Sequence, residues 1–429
     1  MKKKLLLALF LVAGMFLAAC GGGGNDTTED ASNENDNGNE DVDEYVIGAI
    51  YSKTGPNSPL GEPEWNTTEM LVDQINENGG INGVPLRVVL ADDESSQEKA
   101  VQEMNRLIND ENVLAVLGSS GTTESLAMKG IANQNQVPLV SAAAAAQVVE
   151  PVEESEWVFK TPQSDRLAVE RIYIYLNNAG ISKVGLLTDS NAFGTTGLEE
   201  LEAAADEYNI EITAKESYNT QDPDMSTQLT NINSSGAEAV IVWGTNPAPA
   251  IIANNLTSLG FDMEYIGSHG IANQSFIDLA EDAAEGVVIP TGKALFPDQI
   301  PEDDVQYDVL NEYYNNYVER FDSEPTNFGS YGYDNLMLVV EALKNGATDR
   351  ESIRDYLENE ISDWVGTTGV FNMSPEDHNG LTPDSLVMAR VENGEWVLFE
   401  DDAAKGEETE EAGDNEENTE EETAEEDEE

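Results

Sequence analysis

At 429 residues the chain is too long for a single hydrophobic core, so its length predicts two domains or lobes. It carries 85 acidic against 20 basic residues, a net charge of −65. This balance excludes nucleic acid and anionic membrane surfaces as expected partners, because both are bound through basic patches. The single cysteine excludes a disulfide framework and a cysteine-based metal site.

The first twenty residues have the pattern of a secretory signal. Three lysines follow Met1, an apolar run covers 5–16, and small residues precede the cysteine in Leu17-Ala-Ala-Cys20. This motif resembles the lipobox of bacterial lipoproteins. The resemblance implies removal of residues 1–19, acylation of Cys20, and a mature protein tethered outside the cytoplasmic membrane by its lipid alone. A plain secretory signal with an incidental cysteine is the alternative.

Two acidic segments flank the predicted folded region. Both segments are rich in charge and poor in apolar residues. This composition predicts a disordered acidic linker at 20–44 and a disordered acidic tail at 401–429. Even between 45 and 400, 59 acidic residues face 16 basic residues. A surface this acidic repels itself in dilute buffer, which indicates adaptation to high salt or an alkaline habitat.

Between the tails, short apolar strands alternate with helices. The first round predicts strands at 45–50, 86–90, 113–117 and 137–141, with helices at 62–78 and 95–110 and a third helix that ends at 134. A second round follows, with strands at 157–160, 184–187, 210–216, 239–243 and 286–290. Later helices lead to a terminal hairpin with its turn at 392–395. The alternation predicts an α/β fold with two doubly wound parallel-sheet lobes.

The loops that follow the predicted strands are small and polar. The run from Val137 to Pro151 has only small residues from Ser141 to Ala146, and 118–123 is Gly-Ser-Ser-Gly-Thr-Thr. Small residues at the carboxyl end of a parallel strand let a ligand approach main-chain N–H groups. Such loops favour a carboxylate or another small anion without a basic patch.

The sequence contains no convincing catalytic set. Gly118-Ser-Ser-Gly121 lacks the spacing of a nucleophile elbow, and only His269 and His378 could serve as a base. A secreted hydrolase using Ser120 and His269 remains an alternative. The acidic group at 92–94 predicts a loop before a helix, and neither a cofactor nor a metal is expected.

Several motifs in order resemble the branched-chain amino-acid-binding proteins of ABC importers, the type I periplasmic-binding-protein family. They are Ile47-Gly-Ala with Thr54-Gly-Pro56, Ile75-Asn-x-x-Gly-Gly-Ile-Asn-Gly83, 92–94, Val137-Pro-Leu-Val-Ser141, Gly194 and 284–287. The resemblance implies two α/β lobes joined by a hinge of three crossings. One lobe would comprise 45–163 plus 294–382, and the other 164–293 plus 383–400.

The resemblance also implies ligand-binding residues in the first lobe. Ser119 or Ser120 would bind the ligand carboxylate, together with the loop that contains Ala143 and Ala145. Many relatives have Ser or Thr where Ala145 stands, so one hydroxyl contact of the family is missing here.

In the second lobe the corresponding positions are Phe193, Thr245 and His269. Amino-acid-binding relatives commonly have an acidic residue where His269 stands, paired with the ligand ammonium. A histidine there favours an aromatic or aliphatic acid without an α-ammonium group, unless it only packs at the rim. Phe328 and Tyr331 could line an apolar side-chain pocket.

The resemblance implies an extracytoplasmic, lipid-anchored solute-binding protein that captures a small amino acid or related carboxylate and delivers it to an ABC permease. It would be a monomer without catalytic activity. The ligand-sensing ectodomain of a receptor is the alternative from another class, and the lack of a spanning helix after the signal counts against it.

Overall fold

In the computed structural model, which describes residues 43–399, a β-sheet with helices on both faces organises each half of the protein. The predicted signal peptide, Cys20, most of the acidic linker and the acidic tail lie outside the described residues. Within those residues, no helix is both long enough and apolar enough to span a membrane.

The first lobe contains five parallel strands and three helices from the first part of the chain. The strands are β1 (Tyr45–Tyr51), β2 (Leu86–Asp92), β3 (Val116–Gly118), β4 (Leu139–Ser141) and β5 (Val158–Lys160). The helices are α1 (Ser58–Glu77), α2 (Gln97–Asn109) and α3 (Thr122–Asn135). The sheet order is β2-β1-β3-β4-β5, with every pair parallel, as the strand–helix alternation predicts.

The second lobe repeats this arrangement. Its helices are α4 (Asp165–Asn178), α5 (Ala192–Ala204), α6 (Ser226–Ser234), α7 (Ala248–Leu259) and α8 (Gln274–Ala280). Its parallel strands are β6 (Lys183–Asp189), β7 (Glu211–Tyr218), β8 (Ala239–Trp243), β9 (Glu264–Gly267) and β10 (Val288–Thr291).

The last part of the chain contributes to both lobes. It contains α9 (Tyr307–Phe321), α10 (Asn327–Lys344), α11 (Arg350–Asn359), and the antiparallel strands β11 (Trp364–Val365) and β12 (Val370–Phe371). The predicted terminal hairpin is confirmed as β13 (Val387–Glu392) and β14 (Glu395–Phe399). It extends the second sheet to the order β14-β13-β10-β9-β8-β6-β7. Because β13 pairs antiparallel with β10, this sheet is mixed.

Alternating side chains of the central strands supply a hydrophobic core on each face of each sheet. On β1, Ile47 and Ala49 pack in the cluster that includes α1 and α10, whereas Ile50 packs in the cluster with α2 and α3. On β8, Val242 and Ile241 likewise belong to different clusters. A strand buried on both faces is apolar throughout, which is why the sequence shows unbroken apolar runs here.

The chain passes between the lobes three times, as the resemblance implies. The passages lie between β5 and α4, between β10 and α10, and between β12 and β13. The second differs from the expected boundary at 294, because Ala294, Phe296, Ile300 and Leu310 pack in a core of the second lobe. Since Tyr313 packs in the first lobe, this crossing runs along α9.

Helix α1 begins four residues before the predicted start at 62. Pro59 occupies its second position, where a missing N–H costs no helical hydrogen bond. Gly61 allows the helix to approach the preceding strand, because a Cβ there would lie 2.4 Å from the Ser52 carbonyl carbon. Glu64 lies within this helix and is fully buried.

Candidate functional site

A cavity lies between the two lobes, next to the ends of β3, β4, β6, β8 and β9. The space between its lining residues, with the open solvent at its mouth included, is about 500 Å³. The first lobe contributes Asn57, Leu60, Ser120, Gly121, Thr122, Thr123, Glu124, Ala142, Ala144, Phe328 and Tyr331; the second contributes Asn191, Phe193, Thr245, His269 and Gly270. Parallel sheets bind ligands at the carboxyl ends of their strands, so both lobes present the expected edge.

Ser120 lies on the cavity wall, and residues on the side away from the cavity form hydrogen bonds with its hydroxyl. Its hydroxyl accepts a hydrogen bond from Ser52 N at 3.1 Å and donates to Glu64 Oε2. Burial raises the pKa of Glu64 well above its ordinary value, although the bond from Ser120 opposes this shift. A protonated Glu64 can donate to Ser120, and the serine proton then becomes free for a ligand oxygen.

Ser119, the other serine candidate, does not line the cavity. Its hydroxyl donates to Asp93 Oδ2 at 2.5 Å, and Ser52 donates to the other oxygen of Asp93 at 2.7 Å. The residue is fully buried. Ser119 therefore fixes the loop after β2 against the loop after β3, and of the two serines Ser120 is the one exposed to the cavity.

In the small-residue run after β4, the cavity contacts come from Ala142 and Ala144. Ala143 and Ala145, which the resemblance selected, instead pack in the core beside α2 and α3. Ser141 Oγ accepts from Ala143 N at 3.1 Å, which turns this segment just after the strand ends. Side chains alternate along this extended segment, so those of Ala143 and Ala145 point away from the cavity, and ligand contact through their main-chain N–H groups stays a prediction.

The second lobe presents an aromatic group around His269. The His269 ring lies edge-on to Phe193 at 5.6 Å and to Trp243 at 5.7 Å between ring centroids. Asn191 caps α5 by accepting from Gly194 N at 2.9 Å, which orients the helix start that presents Phe193. Phe193, Thr245 and His269 thus lie together on one wall, as the resemblance implied.

His269 is buried and uncharged. Burial, together with the positive charge of Lys160, lowers the pKa of His269 to about 3. Its Nε2 lies 3.7 Å from Asp165 Oδ1, but a neutral ring at that distance forms no ion pair. Neither ring nitrogen has a hydrogen-bond partner. In the unliganded protein His269 therefore carries no charge that would attract an anion.

Asp165 and Lys160 lie at the first crossing, just behind the cavity. Lys160 Nζ donates to the carbonyls of Ala144 and Pro162, each at 2.9 Å. Thr196 donates to Asp165 Oδ2 at 3.1 Å. Burial raises the pKa of Asp165 and lowers that of Lys160, while each opposes the shift of the other. These contacts join the hinge to the segment that carries Ala144.

Phe328 and Tyr331, both on α10, complete the apolar side of the cavity. Their rings meet edge-on with centroids 5.9 Å apart. The Tyr331 hydroxyl accepts from Asn327 Nδ2 at 2.8 Å. Helix α10 therefore holds both rings against the ligand space, as the sequence expectation placed them.

The two histidines are not placed for serine hydrolysis. The Ser120 hydroxyl bonds to Glu64, and His269 has no hydrogen bond to any serine. His378 stacks on Phe159, and its Nδ1 lies 2.9 Å from Val158 O. Within 43–399 there is also no group of three or more acidic, histidine or cysteine side chains arranged to hold a metal.

Two buried carboxyl groups at the site were not anticipated. Glu64 lies behind Ser120, and Glu124 lines the cavity at the first turn of α3. Glu124 stands in the first turn of its helix, where an acid is usually solvated, so neither its residue type nor its position indicated burial. The signal available for Glu124 was its place three residues after Gly121, in a loop already expected to contact ligand.

Known proteins share this sequence pattern and this fold. Residues 44–395 match the family model described as periplasmic binding protein. The Leu/Ile/Val-binding protein BraC3 of Rhizobium johnstonii is 25% identical over 365 residues, covering 83% of this chain and 94% of the relative. An extracellular ligand-binding receptor from Rhodopseudomonas palustris HaA2 superposes with a TM-score of 0.78 at 29% identity, covering 83% of this chain and 99% of that one.

A solute-binding protein of an ABC transporter from Rhodopseudomonas palustris BisB5, solved with 3,4-dihydroxy benzoic acid, shares the fold. Its TM-score is 0.71 at 21% identity, covering 83% of this chain and 97% of that chain. The family match spans nearly all the described residues, and the relatives are binding proteins, not enzymes. The chain belongs to the periplasmic binding protein family and is an extracytoplasmic substrate-binding protein of the ABC-transporter type.

Proposed function

We propose that this protein captures a hydrophobic amino acid or a related carboxylate between its lobes and delivers it to an ABC permease. In this proposal a lipid on Cys20 holds the protein outside the cytoplasmic membrane. The observation that carries the proposal is the interlobe cavity, in which the first lobe presents the start of α3 and both lobes present aromatic rings.

The carboxylate of the ligand would bind at the start of α3. The first bond within this helix runs from Ser125 N to Gly121 O at 3.0 Å, so the N–H groups of Thr122 and Thr123 lie before the helical ladder. The positive end of the helix dipole favours an anion at this position. The Ser120 hydroxyl lies beside it on the same wall.

The side chain of the ligand would contact the apolar part of the cavity. Leu60, Phe328 and Tyr331 face Phe193 across the space between the lobes. Burial of a leucine-sized side chain there contributes about 1.5–3 kcal/mol. Closure of the lobes on the ligand would then present one shape to the permease.

A carboxylic acid without an α-ammonium group is the second candidate ligand. It is favoured by the neutral, buried His269 at a position where amino-acid-binding relatives commonly have an acid. The solute-binding protein from Rhodopseudomonas palustris BisB5, which shares the fold, was solved in complex with such an acid, 3,4-dihydroxy benzoic acid.

A thermal-shift screen tests both candidates on the purified protein in high salt. Hydrophobic L-amino acids are compared with aliphatic and aromatic acids, each followed by mass spectrometry of the ligand. A ligand at 100 times its Kd stabilises the folded state by about 2.7 kcal/mol, which raises the melting temperature measurably. Stabilisation with the ligand recovered intact supports the proposal; turnover of the ligand, or no shift with any of them, contradicts it.

A further inference from the structure

Glu124 is a buried carboxyl group in the wall of the ligand cavity. Only 4% of the residue is exposed, and its Oε2 has no hydrogen-bond partner. The side chain lies directly over Gly121, because a Cβ at that glycine would lie 2.1 Å from Oε2. The same Cβ would lie 2.8 Å from Asn57 Nδ2, so the amide of Asn57 borders the same space.

The charges around this cavity do not suit a simple anion. Among the described residues that line it, Glu124 is the one carboxyl group, His269 is neutral, and there is no lysine or arginine. Glu64 lies behind Ser120, and Asp93 adds a further repulsive charge to Glu124. Lys160 is directed away, since its ammonium bonds to the carbonyls of Ala144 and Pro162. An acid entering alone would therefore add negative charge with no cation to balance it.

A zwitterion fits the same wall. The N and carboxyl carbon of an α-amino acid are about 2.5 Å apart, so the groups that bind them must be neighbours. Ser120 and the first N–H groups of α3 lie next to Glu124 at the start of one helix. The carboxylate could occupy the helix terminus while the ammonium meets Oε2.

We propose that Glu124 binds the ammonium group of the ligand and makes this cavity selective for zwitterionic amino acids. This inference rests on the proposed function and names its ligand class. Glu124, from the first lobe, replaces the acid that the resemblance expects at the position of His269 in the second. His269 then contributes neutral polar contact and aromatic packing, with Phe193 and Trp243 beside it.

The proposal gives the binding affinity a characteristic pH dependence. Burial and the charge of Asp93 raise the pKa of Glu124 to about 7, so in the empty cavity this group is mostly protonated at pH 5.5. The ammonium binds the ionised form, and leucine affinity should therefore rise about 30-fold from pH 5.5 to 8.5 and level off above 7. The other titratable groups that line the cavity are His269 and Tyr331; Glu64 lies behind Ser120, and Asp93 acts on Glu124 through its charge.

The test is calorimetric titration of the full-length protein with matched pairs that differ in the ammonium group. The pairs are L-leucine with 4-methylpentanoate, and L-phenylalanine with 3-phenylpropionate, each at pH 5.5, 7 and 8.5. The proteins are wild type, Glu124→Gln, Glu124→Asp and Glu98→Gln. Glu98 is an exposed acid in the first turn of α2, so it controls for removal of a helix-start charge.

The expected result is tighter binding of the amino acid in each pair by wild type and Glu98→Gln. Glu124→Gln should lose at least about tenfold in amino-acid affinity and all of its pH dependence, and Glu124→Asp should retain part of both. Equal or tighter binding of the acids by wild type, or an unchanged preference in Glu124→Gln, overturns the inference while leaving a solute-binding protein. Binding of none of the four ligands overturns the proposed function and this inference together.

Discussion

Glu124 and His269 occupy the same cavity, and burial moves their ionisation in opposite directions. Low dielectric surroundings disfavour charge, so the pKa of Glu124 rises to about 7 and that of His269 falls to about 3. Both side chains are therefore largely neutral in mildly acidic solution. The empty site has a cost in free energy from unpaired polar atoms, which a ligand can relieve.

Glu124→Gln should remove the contribution of the Glu124 carboxyl group to the pH dependence of the free energy of unfolding. The pKa of Glu124 is raised from 4.5, so the folded protein binds this proton more tightly than the unfolded chain. That contribution to the free energy of unfolding is at most about 3 kcal/mol. It is fully present below pH 4.5 and is lost as the pH rises through 7. Free energies of unfolding in urea at pH 5 and 8 measure it.

Relative to Glu124→Gln, the wild type should lose stability between those two pH values. Glu98→Gln serves as the matched control, because that side chain is exposed, and it should follow the wild type. Parallel pH profiles for wild type and Glu124→Gln would show that the buried carboxyl does not have the raised pKa.

At the scale of elements, the second wall of the site depends on close packing between α5 and β8. A Cβ on Gly197 would lie 2.1 Å from Trp243 Nε1. Trp243 in turn packs against Phe193 and His269, with ring centroids 5.8 and 5.7 Å away. The glycine in α5 therefore sets the position of the aromatic group that faces the ligand.

Gly197→Ala should destabilise the protein by about 1–3 kcal/mol, because the added methyl group displaces a fully buried tryptophan. It should also weaken ligand binding through Phe193 and His269. Gly130→Ala in α3 is the control, since a Cβ there meets nothing within 4 Å. The control should gain up to about 1 kcal/mol from helix propensity. Equal effects of both substitutions in thermal unfolding would contradict this packing argument.

The sequence predicted elements better than it predicted side-chain directions. Apolar runs such as β8 are buried on both faces and signal themselves by composition, and the turn at 392–395 identified its hairpin. The resemblance named Ala143, whereas the side chains that line the cavity are those of Ala142 and Ala144. The register of an irregular segment depends on where the strand ends, which the sequence alone does not define. Glu124 was missed because an acid at the start of a helix is usually solvated, and its burial here depends on tertiary packing.

At the scale of the whole molecule, charge dominates. The net charge is −65, counted with every carboxyl group ionised. Self-repulsion of this size opposes the compact state, and salt reduces it by shortening the Debye length from about 10 Å at 0.1 M to about 3 Å at 1 M.

The melting temperature should therefore rise as NaCl increases from 0.1 to 1 M. KCl at equal ionic strength should give the same increase, because screening does not distinguish these cations. Differential scanning calorimetry measures both series. A flat or falling melting temperature would contradict salt adaptation, and a rise with only one salt would indicate specific ion binding instead of screening.

The central claim is that one ligand binds between the lobes and needs both walls, and it is tested most directly by titrating L-leucine into three proteins. These are the wild type, Ser120→Ala on the first lobe and Phe193→Ala on the second. Calorimetry should give one leucine per wild-type chain and an affinity at least about tenfold lower in each variant, with both variants still folded. Undiminished leucine binding in either variant would contradict a site formed by both lobes.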